Sequence, residues 1–341
     1  MPVNVVVAYD LDPALAARIE AVSPEVSLRV LGAGNLARFG GRLPYPSELT
    51  NSTPAEELTE AARTAEVIFC GWAGPLPRLA LAQDAPHLRW VQLAHVGFDR
   101  VDPALTGDVQ FTNVGEMSAP PIAEWVIGCM LMFAKCWPAA FHSQRAHEWR
   151  RYMPRELDGA TVGIVGLGAI GGEVARRARA LGCRVSGMRR ACEANPSHPL
   201  VDTALPPSML HSLLAESDYV VLTAPLTAQT RGMIDAAALA AMRPDAVLLN
   251  VGRGPLIDEP ALVEALQAQR IAGAALDVFG REPLPADSPL WDLGNLVMTP
   301  HIAAGTDRYY ERATAIFCAN LRRYLAGEPL EHLVDPRVTE G

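Results

Sequence analysis

None of the six cysteines (Cys70, Cys129, Cys136, Cys183, Cys192, Cys318) sits in a CxxC pair or at Cys/His ligand spacing. A disulfide framework or a zinc site needs clustered or paired thiols. Neither is expected, and the thiols read as small, reduced, mostly buried hydrophobes. The chain opens MPVNVVVAYD, directly in a strand pattern, with no basic leader or cleavage site. Its most apolar run, Trp125–Ala134, is about half of what a bilayer span requires. A cytoplasmic protein with no membrane partner is therefore expected. Positive charge is also short: 29 Lys and Arg against 38 Asp and Glu leave a net charge of −9. That balance argues against nucleic acid or an anionic membrane as the main partner. No Ser/Gly-rich linker divides the chain.

What is present is apolar side chain in quantity. Half of the 341 residues are hydrophobic and 20% are charged, enough to bury large cores, and the length fits two domains. Short, β-branched strands without polar alternation are expected at Val3–Ala8, Val67–Cys70, Trp90–Ala94, Thr161–Val165, Arg184–Met188, Tyr219–Thr223, Val247–Val251, Ala274–Val278 and Leu296–Thr299. Strands covered on both faces of a parallel sheet read this way. Between them lie helical stripes such as Ile170, Val174, Ala178 and Leu181. The alternation predicts a doubly wound α/β architecture. The stretch 32–53 reads as a long loop or insertion, and 191–207 as a surface loop.

The segment 161–171, TVGIVGLGAIG, is a strand, a glycine-rich turn and the start of a helix. Gly166, Gly168 and Gly171 form GxGxxG: the first allows the tight turn, the second lets the backbone approach a pyrophosphate, and the third lets helix and strand pack closely. The phosphates would meet the free N–H groups of the helix that begins near Ala169 and Ile170. After the next strand, where an acid usually holds the ribose 2′-OH, stand Arg189 and Arg190. Guanidinium groups pair with a 2′-phosphate, so NADP(H) is the expected cofactor, with NAD(H) the open alternative.

Three further segments lie at the C-terminal ends of expected strands, where ligands bind in open α/β sheets: 250–254 (NVGRG), 277–284 (DVFGREPL) and 299–306 (TPHIAAGT). Keto-acid reduction needs a cation for the carboxylate, an acid for the carbonyl oxygen, and a group that favours the charged form of that acid. Arg253, His301 and Glu282 supply one of each.

At this point the chain resembles the D-isomer-specific 2-hydroxyacid dehydrogenase family, of glyoxylate/hydroxypyruvate reductase type. The likeness rests on ordered motifs: the 96–99 loop (VGFD), Ala123-Glu124 in a long helix, Gly166–Gly171, 224–227 (APLT) with 230–234 (TRGMI), and the three segments above. The resemblance implies that Arg253 holds the substrate carboxylate, that His301 is the general acid in reduction, and that Glu282 hydrogen-bonds it. It gives His95, Val96 and Gly97 to the substrate carboxylate through backbone N–H groups, and Asp277 to the nicotinamide carboxamide. Ala224, Pro225, Thr230, Val251, Gly252, His301 and Ala303 would complete the cofactor site. It further implies a flavodoxin-like substrate domain from residues 1–118 and 306–341, with a Rossmann domain, 119–305, inserted. A helix from Ala119 to about Cys136 would help form a homodimer. Thr112-Asn-Val-Gly115 departs from the family's Asn-x-Pro-Gly, so the chain is expected to enter that helix differently. The expected substrate is a small 2-keto or 2-hydroxy acid. A dehydrogenase of another small anion such as phosphite, or an NAD(P)-binding regulatory protein of the same fold, stays open.

Overall fold

Strands that are apolar on both sides can be buried only if helices cover both sides of the sheet, and both sheets of this protein are built that way. The structure is a computed structural model and describes residues 2–31, 55–71, 85–96, 108–190 and 198–335. The expected 32–53 loop, Gly97 and Cys192 lie outside the described residues. The chain folds as two compact units, Met1–Ser118 with Gly305–Thr339, and Ala119–Ala304.

The first unit holds β1 (Val3–Val7), β2 (Val26–Val30), β3 (Val67–Cys70), β4 (Trp90–Leu93), β5 (Gln110–Thr112) and β13 (Leu333–Val334). Their order is β13-β5-β4-β3-β1-β2, parallel except for β13 against β5. The order 2-1-3-4-5 is that of flavodoxin-like sheets. Successive side chains alternate between two cores: Val5, Val7, Val67 and Phe69 face one, Val6, Ala8, Ile68 and Cys70 the other. On the first face Phe317, from the Tyr309–Ala326 helix, stacks on Phe69 at 4.4 Å and on Trp90 at 5.2 Å between ring centroids.

The second unit holds β6 (Thr161–Val165), β7 (Arg184–Met188), β8 (Thr203–Leu205), β9 (Tyr219–Leu222), β10 (Val247–Asn250), β11 (Gly273–Leu276) and β12 (Leu296–Met298), in the order β12-β11-β10-β9-β6-β7-β8. All pairs are parallel. The chain runs outward from β6 through β7 to β8, then restarts beside β6 with β9 and runs the other way. That reversal is the topological switch point of a Rossmann sheet. The Ala119–Ala134 helix covers one face, burying Ile122, Val126, Cys129 and Met130 against Val162, Ile164, Val221 and Leu249. Together with the preceding turn it makes Gly115–Ala134 long and apolar enough, by length and composition, to cross a membrane, and half of it is buried in the protein. The helix ends at Ala134 rather than near Cys136, which takes a left-handed φ of 59° and opens a second helix, Trp137–Arg145.

Sequence patterning misses β2, β5, β8 and β13. These are a half-exposed edge strand, two strands of three residues, and an antiparallel pair of residues. Thr203–Leu205 also corrects the reading of 191–207 as loop throughout. The free thiols behave as the composition suggests: Cys70, Cys129, Cys183 and Cys318 are buried, and burial pushes Cys70 and Cys129 up to about 12. Among the described residues no group of His, Cys, Asp and Glu is placed to hold a metal ion.

Phe317→Ala would leave a void between two rings in a fully buried site. It is expected to cost about 3–5 kcal/mol, read as a lower urea midpoint; a midpoint matching that of the parent would contradict this packing.

Candidate active site

The site residues expected in the second unit lie in the segments that follow the C-terminal ends of strands of its sheet. At the end of β6, Gly166 takes φ +106°, and a Cβ there would lie 2.7 Å from the Ala224 backbone nitrogen at the switch point. A Cβ on Gly171 would meet the Gly166 carbonyl oxygen at 2.0 Å, so helix and turn touch backbone to backbone. Thr223, on the neighbouring strand end, donates its hydroxyl to that carbonyl at 2.6 Å. A Cβ on Gly168 would instead meet nothing within 4 Å. Gly168 caps the Ala169–Ala180 helix without any side-chain hydrogen bond. An exposed helix start with no Cβ and no capping side chain fits a dinucleotide pyrophosphate.

Arg189 and Arg190 follow β7 directly; Arg189 is half-buried and its N–H donates to the Leu205 carbonyl at 3.2 Å. Burial, with the Arg189 charge adding to it, holds His198 below the ordinary histidine range. His198 carries no motif and was invisible in the sequence. Ala224, Pro225 and Thr230 shape the turn after β9, where the Thr230 hydroxyl donates to the Pro225 carbonyl at 2.7 Å and accepts from the Thr227 N–H at 2.7 Å. In this structure Thr230 holds the turn that carries its neighbours.

The turn Val251-Gly252-Arg253 is wrapped by Asn250, a fully buried side chain. Its Oδ1 accepts from the Gly252 N–H at 3.1 Å and its Nδ2 donates to the Arg253 carbonyl at 2.9 Å. The Arg253 guanidinium donates to the Gly252 carbonyl at 2.9 Å. A Cβ on Gly254 would lie 1.9 Å from the Phe279 carbonyl carbon. The arginine turn is therefore pressed against the loop that carries Glu282.

In that loop, Glu282 Oε1 accepts from the Phe279 N–H at 3.1 Å, and Oε2 lies 2.8 Å from His301 Nδ1. Both side chains are about a quarter exposed. His301 has φ +55°, a conformation rare outside glycine and concentrated at functional sites. It is held there by Asp277. The Asp277 backbone carbonyl accepts the His301 N–H at 2.8 Å. Its carboxylate accepts from Thr299 Oγ1 at 2.5 Å, Ile302 N at 2.8 Å and Ala303 N at 3.0 Å. The sequence assigned Asp277 to the nicotinamide; in the structure the bonds of its carboxylate go to the histidine loop, including Ala303.

In the first unit, His95 and Val96 follow β4 and are half-buried. Asn113 Nδ2 donates to the Val96 carbonyl at 2.8 Å, and its Oδ1 accepts the Gly115 N–H at 2.9 Å. This Asx turn, with Gly115 at φ +54° packed on the His332 ring, stands where the family pattern has its proline before the long helix. Sequence reading missed Asn250, Thr299 and Asn113 as groups that fix the site loops; all three stand inside quoted motifs, where an amide or hydroxyl side chain at a strand end was the available sign.

The family profile described as the NAD binding domain of D-isomer specific 2-hydroxyacid dehydrogenases matches residues 127–303. The chain is 34% identical to D-3-phosphoglycerate dehydrogenase of Methanocaldococcus jannaschii over 84% of its own length, and spans 55% of that longer protein. It is 37% identical to glyoxylate/hydroxypyruvate reductase B of Pectobacterium carotovorum, covering 82% of this chain and 88% of that one. The fold matches that of a D-isomer specific 2-hydroxyacid dehydrogenase from Xanthobacter autotrophicus, solved with NADPH and MES. There the TM-score is 0.77 and the identity 30%, with 99% of each chain covered. With the glycine turn, the histidine–glutamate pair and the arginine turn on one Rossmann sheet, the chain belongs to the D-isomer specific 2-hydroxyacid dehydrogenases and is an NAD(P)-dependent oxidoreductase of that family.

Proposed function

We propose that this protein reduces a small 2-keto acid of the glyoxylate/hydroxypyruvate class to its 2-hydroxy acid, using NADPH in preference to NADH. The observation that carries the reading is the His301–Glu282 pair at 2.8 Å, with the Arg253 turn packed on the same loop. When bound, the nicotinamide supplies the hydride. The remaining work belongs to side chains of this protein. Arg253 pairs with the substrate carboxylate, and the 95–97 loop is assigned to the same carboxylate. Glu282 accepts the Nδ1–H of His301 and orients the ring, and His301 gives a proton from Nε2 to the carbonyl oxygen as it becomes a hydroxyl. Residues 119–305 act as the cofactor-binding domain, and 1–118 with 306–341 as the substrate domain.

The NADPH preference rests on Arg189 and Arg190 standing where an acid would hold a ribose hydroxyl. It agrees with the NADPH bound in the Xanthobacter relative. We further place the enzyme in the cytoplasm as a homodimer. The second unit exposes Trp137, Phe141, Trp149 (94% exposed) and Met153 (89% exposed). The segment bearing the last two is folded back on the Trp137–Arg145 helix by the Tyr152 hydroxyl, which donates to the Ala139 carbonyl. Large apolar side chains held outward in this way suit a partner surface.

Initial rates with glyoxylate and hydroxypyruvate, each against NADPH and NADH, test the reaction. Absence of turnover with either acid despite NADPH binding would favour a regulatory role over an enzymatic one. His301→Ala is expected to lower kcat by about 100-fold or more, the lower range for a positioned acid; near-parental turnover would refute the mechanism. Arg189→Asp should move the NADPH/NADH ratio of kcat/KM toward NADH, because a carboxylate repels a 2′-phosphate, and an unmoved ratio would show that the phosphate is read elsewhere. Sedimentation should give the mass of two chains for the parent and a shift toward one chain for Trp149→Asp combined with Met153→Asp. An unshifted mass would place the interface on another face.

A further inference from the structure

The central strand β10 of the second unit ends in a polar side chain that lies wholly inside the core. Asn250 is 0% exposed, and Val247, Leu248 and Leu249 before it are apolar and buried. Its backbone belongs to the sheet: it pairs with Leu222 of β9 and Leu276 of β11, and its carbonyl accepts the Asp277 N–H at 3.0 Å. Its amide belongs to the turn that follows. Oδ1 accepts from the Gly252 N–H at 3.1 Å, and Nδ2 donates to the Arg253 carbonyl at 2.9 Å. One partner can only donate and the other only accept, so the turn itself fixes which way the amide faces.

A buried amide is tolerated in a core only when both its ends are satisfied. Here each end holds a different peptide plane. The Gly252 N–H lies in the plane that joins Val251 to Gly252, and the Arg253 carbonyl in the plane that joins Arg253 to Gly254. Between them stands the Gly252–Arg253 plane, whose carbonyl accepts from the Arg253 guanidinium at 2.9 Å. With both neighbours held, that middle plane keeps only a rotation about the line between its two Cα atoms. Gly252 is closely packed as well, since a Cβ there would lie 2.9 Å from Leu256 Cδ1 and 3.0 Å from the Ala224 carbonyl oxygen. Arg253 is extended, at φ −139° and ψ 143°. The root of its side chain therefore leaves the turn in a direction that the sheet sets through Asn250.

We propose that Asn250 is a positioning residue for Arg253: its amide ties the arginine turn to β10 and aims the guanidinium before the keto acid arrives. This rests on the assignment of the substrate carboxylate to Arg253 under the proposed function. Asn250 is fully buried, so it acts through Arg253 and is out of reach of the reacting atoms. A long arginine side chain loses rotamer freedom when it grips an anion, and a fixed root lowers that cost. Loss of the amide weakens binding of the carboxylate and leaves proton transfer at His301 intact.

The test is a double-mutant cycle in the full-length enzyme, read by steady-state kinetics with hydroxypyruvate and by the NADPH Kd from nucleotide fluorescence. Asn250→Ala removes both hydrogen bonds to the turn. It is expected to raise the hydroxypyruvate KM about tenfold, with kcat and the NADPH Kd within about twofold of the parent. Arg253→Ala removes the guanidinium itself and should raise that KM about 100-fold. Because Asn250 acts through Arg253, adding Asn250→Ala to Arg253→Ala should change the KM by less than about twofold. A further rise of about tenfold in the double variant would show an effect independent of Arg253 and overturn the proposal. So would a parental KM in Asn250→Ala with only a lower melting temperature, or a defect confined to the NADPH Kd. Asn250→Ser, which keeps a small polar group in the same space, decides by the same readouts if Asn250→Ala does not fold. A parental KM in Arg253→Ala would sink the carboxylate assignment itself. A raised KM there beside a parental KM in Asn250→Ala would sink only the positioning role.

Discussion

The site depends on one buried carboxylate. Asp277 is 2% exposed and ends β11, and through three hydrogen bonds from Thr299, Ile302 and Ala303 it draws the loop after β12 onto its own strand end. That loop cannot relax, so His301 stays at a positive φ that an unconstrained histidine would leave. Glu282, five residues after Asp277, comes from the same strand end and returns to meet His301 Nδ1. Both members of the proposed acid pair are therefore referenced to one point on the sheet. Such a pair keeps its 2.8 Å geometry without the help of substrate, which is what pre-organisation of a general acid requires.

The glycines extend that reference across the sheet. Gly254 lets the arginine turn touch the backbone of Phe279, and Gly166 lets the cofactor turn touch Ala224. Each contact would be blocked by a single methyl group, so adjacent strand ends are spaced by backbone rather than by side chains that can change rotamer. The result is one stiff rim running from β6 to β12, in which the cation, the acid and the helix start for phosphate are set by the sheet's own register.

This rim was the most legible part of the chain, because its chemistry is local in sequence. GxGxxG, NVGRG, the glutamate and the histidine each carry their proposed role within a few residues, and the parallel strands between them declare themselves by being apolar on both faces. What stayed hidden is non-local or weakly patterned. The Tyr309 hydroxyl meets Ala94 across 215 positions of sequence, and nothing near either residue marks the pair. Nothing in the sequence joins Gln92 to Asn320, which the sheet and the last helix bury together. β2 and β5 were missed because edge and short strands lack the continuous apolar run that betrays central ones. The bonds of Asp277 to the histidine loop were not legible, since an acid at a strand end looks the same whether it faces a ligand or its own loop.

The two units turn out to use the same local device. A buried asparagine stands at or just past a strand end, Asn250 on β10 and Asn113 after β5, and each accepts the N–H two residues ahead. Each then donates its amide to a carbonyl in a loop assigned to substrate, that of Arg253 in one unit and of Val96 in the other. Asparagine suits this position because a short planar amide offers an acceptor and a donor at once. Aspartate would offer no donor at neutral pH, and serine would not span the same gap. The amide also adds no charge beside groups whose function is charge. A carboxylate beside the Arg253 turn would compete for the guanidinium with the substrate proposed to bind there, whereas a neutral clamp fixes the loop and adds no such competitor.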